Sequence, residues 1–125
     1  MAFWIFMLII ILLVPMTMIG FGKMFSKRAP QNINPVFGYR TAMSMKNQDT
    51  WVFAHRFCGK LWFRLGFALL PLSVIPFFFV LFKETTTVAY MSFAIVMLQL
   101  IPMVGTIWIT EAALKKTFDQ DGIRR

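Results

Sequence analysis

Residues 2–22, AFWIFMLIIILLVPMTMIGFG, contain no charged side chain. As a helix this run is ~31 Å long, enough to cross the hydrocarbon core of a bilayer. Two further apolar runs of similar length follow, at 61–82 and 88–110. Three such runs in a chain of 125 residues leave no material for a large soluble core. The chain therefore reads as an all-α integral membrane protein with three transmembrane helices. The hydrophobic fraction of 58% agrees, lying above the roughly 45–50% of soluble domains.

The first run lacks the basic n-region and small-residue cleavage site of a signal peptide, so it reads as an uncleaved helix. Pro15 is placed to kink it, and Phe3 and Trp4 suit a membrane interface. In the second run, Pro71 and Pro76 predict a bend, and Arg64 is close enough to its start to snorkel towards headgroups. The third run carries Gln99 at mid-membrane depth. A buried amide there needs a partner, which makes Gln99 a bridge between helices or a contact to cargo.

Charge sets the expected orientation. Between the first two runs lie Lys23, Lys27, Arg28, Arg40, Lys46, Arg56 and Lys60 against one acid, Asp49. Between the second and third, the turn Lys83-Glu84-Thr85-Thr86-Thr87 has no net charge. The positive-inside rule places segment 23–60 and the tail 111–125 in the cytoplasm, giving N-out and C-in. This distribution accounts for the net charge of +8 without a nucleic-acid partner. Localisation in a bacterial cytoplasmic membrane, within a single domain over 1–125, is the corresponding expectation.

Segment 23–60 is the long polar and basic stretch of the chain. Pro30 to Pro35 is too rich in Pro and Asn for a helix. From Asn47 a helical pattern returns, with Asn47 or Asp49 as its cap and Trp51, Ala54, Phe57 or Cys58, and Leu61 at helical spacing. Residues 47–60 thus form either an interfacial amphipathic helix or an extension of the second crossing.

Chemistry-bearing residues are few. One cysteine, Cys58, and one histidine, His55, exclude an intrachain disulfide and a two-histidine metal site. Gly-rich phosphate loops and GxSxG are absent. No metal, no cofactor and no enzymatic activity are therefore expected. A lipid-phosphate enzyme built on Arg40 and His55 would lack a paired acid and base.

The run Asn34-Pro35-Val36-Phe37-Gly38-Tyr39-Arg40-Thr41, followed by Ser44-Met45-Lys46-Asn47-Gln48-Asp49-Thr50-Trp51-Val52-Phe53-Ala54-His55-Arg56-Phe57-Cys58-Gly59, resembles the SdpI family of bacterial membrane proteins. Asn34, Gly38, Arg40, Thr41, Asn47, Trp51, Ala54, Arg56 and Gly59 match its pattern, and His55 stands where the family usually has Asn. The resemblance covers roughly residues 28–115. The founding member confers immunity to a secreted sporulation-delaying toxin and holds a repressor at the membrane. It is longer, and this chain resembles its C-terminal half. The resemblance implies a non-enzymatic immunity or sensing protein whose partners are the lipid bilayer, a toxin peptide, a cytoplasmic repressor and a second copy of itself. The competing reading is an accessory subunit of a larger transport or envelope-stress complex.

The residues to watch are Asn34, Pro35, Gly38, Tyr39, Arg40, Thr41, Asn47, Trp51, Arg56 and Gly59, with Gln99 and Glu111 as intramembrane polar contacts. Arg40 has the planar fork that pairs with a carboxylate or phosphate, or else anchors the loop or pairs with Asp49. Pro35 and Gly38 shape the turn, and Asn34 and Asn47 close it through backbone bonds. Thr41 suits the cap of a short helix. Trp51 reads as an interfacial anchor, His55 as a hydrogen-bonded member of an amphipathic face, and Glu111 as a partner for loop Arg or Lys side chains.

Overall fold

The computed structural model describes residues 1–125 as three helices: α1 (Ala2–Lys27), α2 (Gln48–Phe78) and α3 (Thr85–Thr117). All three are long and apolar enough to cross a membrane. The outward-facing side chains are apolar as well, among them Phe67, Leu72, Ile75, Phe93, Leu98, Ile101 and Trp108. A surface of this kind is stable against lipid and unstable against water. The chain is a multi-pass membrane protein.

Helix boundaries differ from the apolar runs for local reasons. α1 continues through Lys27 and stops where Arg28 turns extended ahead of Pro30. α2 begins at a reciprocal cap: the Asn47 side chain accepts from Thr50 N, and the Thr50 hydroxyl accepts from Asn47 N. Asp49 lies in its first turn, near the positive end of the helix dipole. From this cap α2 runs unbroken for 31 residues. Segment 47–60 is thus the first part of α2, and no separate interfacial helix exists. α2 closes at Phe78, where Phe79 N bonds back to Pro76 O in a tightened turn. α3 starts at Thr85, so the threonines of the expected turn belong mostly to the helix. It extends to Thr117, taking up half of the expected tail. The remainder folds back through one isolated bridge between Phe118 and Arg124. Pro15, Pro71, Pro76 and Pro102 all lie inside continuous helices.

α1 and α2 cross at contact distance because three glycines line the crossing. A Cβ on Gly22 would lie 2.5 Å from Phe63 N, and one on Gly59 would lie 2.7 Å from Ser26 N. One on Gly66 would lie 2.9 Å from Pro15 O. Without a hydrophobic driving force in lipid, such close backbone approach supplies the packing energy.

Two clusters bracket the bundle. At one end Trp4, Ile11, Phe77, Val80, Val88 and Ile95 form an apolar core. Trp4 stacks on Phe77 with centroids 5.0 Å apart and donates Nε1–H to Phe77 O at 3.0 Å. Trp4 therefore faces inward and does not serve as a lipid-facing anchor, whereas Phe3 is exposed. At the other end Ala54, Leu114 and Phe118 pack beneath the loop. Between the clusters, Gln99 Nε2 donates to Ile11 O at 3.0 Å and to Ser73 Oγ at 2.8 Å. One side chain of α3 thereby ties α1 and α2, the bridging role its depth demanded.

Candidate functional site

The connection from Arg28 to Asn47 contains no helix, yet specific hydrogen bonds fix it at several points along its length. Asn34 Oδ1 accepts from Val36 N at 3.0 Å and Phe37 N at 2.6 Å, closing the Asx turn over Pro35. Gly38 follows with φ 108°, and a Cβ there would lie 2.4 Å from His55 Nε2. Conformation and space both require glycine at this position.

The reason for that close approach is the next residue. Tyr39 N–H donates to His55 Nε2 at 2.8 Å. His55 Nδ1 lies 2.8 Å from Trp51 O. Because an amide N–H only donates, Nε2 is the acceptor, and the ring proton sits on Nδ1 facing the carbonyl. His55 is fully buried, with Phe25 edge-on at 5.0 Å. Hydrogen-bonded through both ring nitrogens, it pins the loop from the buried face of α2. Trp51 is fully buried too and donates Nε1–H to Pro30 O at 2.8 Å. It clamps the start of the loop instead of anchoring at the interface.

Glu111 fastens the loop to α3. Its Oε1 accepts from Tyr39 Oη at 2.8 Å and from Thr41 Oγ1 at 2.5 Å. The expected Arg or Lys partners are replaced by two hydroxyls. Tyr39 Oη also approaches Ile107 O at 3.2 Å. Burial first, and the adjacent Glu111 second, push the Tyr39 phenol well above its ordinary pKa of 10.0, so it stays a neutral donor. Thr41 does cap a turn: its Oγ1 accepts from Ser44 N at 3.2 Å, while Ser44 Oγ accepts from Thr41 N at 2.9 Å. Ser44, fully buried, went unnoticed in the sequence. Its spacing three residues after Thr41 is the signal that marks it.

The tail closes on the start of α2. Asn47 Nδ2 donates to Gly122 O at 2.7 Å. Arg124 forms a forked pair with Asp49, both contacts at 2.9 Å, and lies over the Phe118 ring. Asp49 therefore belongs to Arg124 and not to Arg40.

Arg40 is exposed and donates Nη1–H to Pro35 O. That single bond aims the guanidinium without neutralising it. Arg56 is exposed on α2 and stands apart from the loop's bonds. Gly59 serves the α1–α2 crossing described above. Gln99 lies deeper in the bundle, away from the loop cluster.

Beneath the loop is a cleft of about 460 Å³. Phe21 and Phe25 of α1, Cys58 and Trp62 of α2, and Ile107 of α3 form its walls, and residues 37–41 form its roof. Trp62 is held by donating Nε1–H to Thr106 Oγ1 at 2.8 Å. Cys58, read from sequence only as the lone cysteine and a member of the helical pattern, and Trp62 carry no sequence signal of lining a cleft, since aromatic and small apolar residues are ordinary in membrane helices. No three His, Cys, Asp or Glu side chains converge on a metal-sized site. What the arrangement offers is an apolar recess with one unpaired cation at its rim.

A model of the SdpI/YfhL protein family matches residues 31–110, from the motif loop through most of α3. No curated protein and no solved structure matches the chain.

Proposed function

Because the chain belongs to the SdpI/YfhL protein family, we propose that it is a non-enzymatic immunity protein that protects a bacterial cell from a secreted, membrane-active toxin peptide. The observation that carries this reading is the organisation of the family's motif. Of the motif, Thr41, Asn47 and Trp51 are hydrogen-bonded in place, Gly38 supplies the turn conformation, and together with the intervening Tyr39 they present Arg40. The unit is tied to α2 through His55 and to α3 through Glu111. A loop linked to two helices in this way senses any change in their separation. In the proposed mechanism the helices intercept the peptide within the bilayer. The loop and tail register the occupied state and display it to a cytoplasmic repressor.

The non-enzymatic reading is supported by how the titratable groups are used. Both His55 nitrogens and the Glu111 Oε1 atom are engaged in holding the loop. The orientation, N-out and C-in across the cytoplasmic membrane, rests on the concentration of basic residues at the loop end. Exposed Lys46 and Lys83 lie on opposite sides in this arrangement. An impermeant thiol reagent on intact cells is expected to label Lys83→Cys and spare Lys46→Cys; the reverse pattern inverts the topology. Buried Cys58 makes a quiet background.

The function itself is tested by survival. A sensitive strain expressing this chain is expected to outlive a vector control when challenged with a sporulation-delaying-type toxin. Equal killing, with the protein present in the membrane, rejects immunity to that toxin and moves an accessory-subunit role ahead.

A further inference from the structure

The cleft beneath the loop has a polarity gradient of its own. Its roof carries Arg40 and the hydroxyls of Tyr39 and Thr41. Its deeper lining, from Phe25 back to Thr17 on α1, is apolar apart from the Thr17 hydroxyl. That stretch of α1 covers eight residue steps, or ~12 Å along the membrane normal. Thr17, Phe21 and Ile107 are exposed on the bundle's outer surface, so the cleft opens sideways between α1 and α3 into the space that lipid occupies. The loop reaches in between the two helices there: Phe37 packs on Phe25 at 5.6 Å and Tyr39 Oη lies 3.2 Å from Ile107 O.

We propose that this cleft is a binding site for one acidic phospholipid of the surrounding bilayer, with an acyl chain in the recess and the headgroup phosphate paired with Arg40. The gradient of the cleft matches that of the lipid, hydrocarbon deep and charge at the loop. There the lining offers Arg40 and no carboxylate to accompany a choline cation, so a headgroup of net negative charge is favoured. Arg40 has one N–H engaged with Pro35 O, and the remaining face of its fork is available for phosphate oxygens. The cleft volume falls within the ~300–1,000 Å³ range of small-molecule sites. An extended peptide fits less well. Its backbone amides would need partners along the full depth, and the deep lining offers almost none. This inference is independent of immunity: a chain that fails to protect cells still either retains the lipid or does not.

The test is native mass spectrometry of the purified full-length chain, released from detergent containing phosphatidylglycerol or phosphatidylcholine. One phosphatidylglycerol per chain is expected to remain bound, with phosphatidylcholine lost. Arg40→Gln removes the charge but keeps a donor for Pro35 O. Thr17→Phe fills the recess from an exposed position. Each is expected to lower retention about tenfold, the factor that ~1.4 kcal/mol carries. Lys60→Gln removes an exposed cation outside the cleft and is expected to change nothing. Equal retention of the two lipids overturns the proposal, as does wild-type retention in both cleft variants or an equal loss in Lys60→Gln. Capture of an apolar peptide with a free carboxylate in place of phosphatidylglycerol overturns it in favour of a peptide site.

Discussion

At the end of the bundle where Trp4 meets Phe77, the helices are joined mainly by apolar packing, with one directional tie from Trp4 Nε1–H to Phe77 O. At the opposite end the fastening is directional. Tyr39 N–H on His55, two hydroxyls on Glu111, Trp51 on Pro30 and Asn47 on Gly122 each fix one part of the chain to another. The first end tolerates changes of shape as long as volume is kept. The second has no such latitude, because each buried donor or acceptor left alone costs about 1–3 kcal/mol. The proposed sensing role would call for this division. One end holds the bundle together, and the other has a small number of contacts on which its geometry depends.

The strongest way to break the comparison is to separate the helices that serve both ends. Gly59→Val places side-chain atoms into the α1 backbone at Ser26 and is expected to cost about 3 kcal/mol or more. The readout is loss of the monodisperse peak in size-exclusion chromatography. A normal elution profile with an unchanged melting midpoint would mean that the crossing is looser than described.

A matched pair of substitutions sharpens it. His55→Phe keeps an aromatic ring but leaves Tyr39 N–H without its acceptor, at a cost of about 2 kcal/mol. Amide exchange should accelerate across residues 36–44, with the Trp4 end unaffected. Trp4→Phe keeps the stack on Phe77 and loses one hydrogen bond, at a cost of about 1 kcal/mol, and should leave loop exchange unchanged. Exchange rising equally in both variants would show that the two ends are not held separately.

Between the ends, Gln99 is expected to matter less than its position implies. Interhelical hydrogen bonds in membranes average about 0.6 kcal/mol. Gln99 Oε1 is buried without a partner, so Gln99→Leu also removes an unsatisfied acceptor. The expected change in stability is below about 1 kcal/mol. A larger loss would make Gln99 the principal tie of the bundle.

The smallest effect is a titration. Tyr39 has its phenol raised above the ordinary value of 10.0 by burial and by Glu111. A raised pKa in the folded state means that the neutral phenol's contribution is fully present below pH 10 and is lost as pH climbs through the folded value. In a Tyr90→Phe variant, which leaves Tyr39 as the sole tyrosine, phenolate absorbance is expected to appear only above the ordinary range. Ionisation at pH 10 would show that the contact with Glu111 is open in solution.

Much of this architecture was legible in the sequence because lipid imposes simple demands. Charge-free runs of spanning length have few folds open to them, and Gln99 in such a run had to find a partner. Less was legible at the loop end. Trp4 and Trp51 carry the composition of interfacial anchors, but their indole N–H groups reach backbone carbonyls and draw the rings inward. His55, Arg56 and Lys60 gave segment 47–60 an interfacial look. Of the two arrangements the sequence left open, the fold has the second: the segment is the start of one continuous helix, with His55 buried on its inner face. For Glu111, charge alone points to basic partners in the loop. Its true partners, Tyr39 and Thr41, lie about seventy residues away in sequence, and pairing at that separation follows from topology rather than local pattern.

If the pinned loop serves to present Arg40, survival under toxin challenge depends on that side chain. Cells expressing Arg40→Ala at wild-type abundance in the membrane are expected to die like the vector control, since Arg40's one observed bond is to an exposed turn and its removal leaves the His55 and Glu111 contacts in place. Full protection by Arg40→Ala, beside full protection by wild type, would contradict the account and reduce the loop to a structural seal.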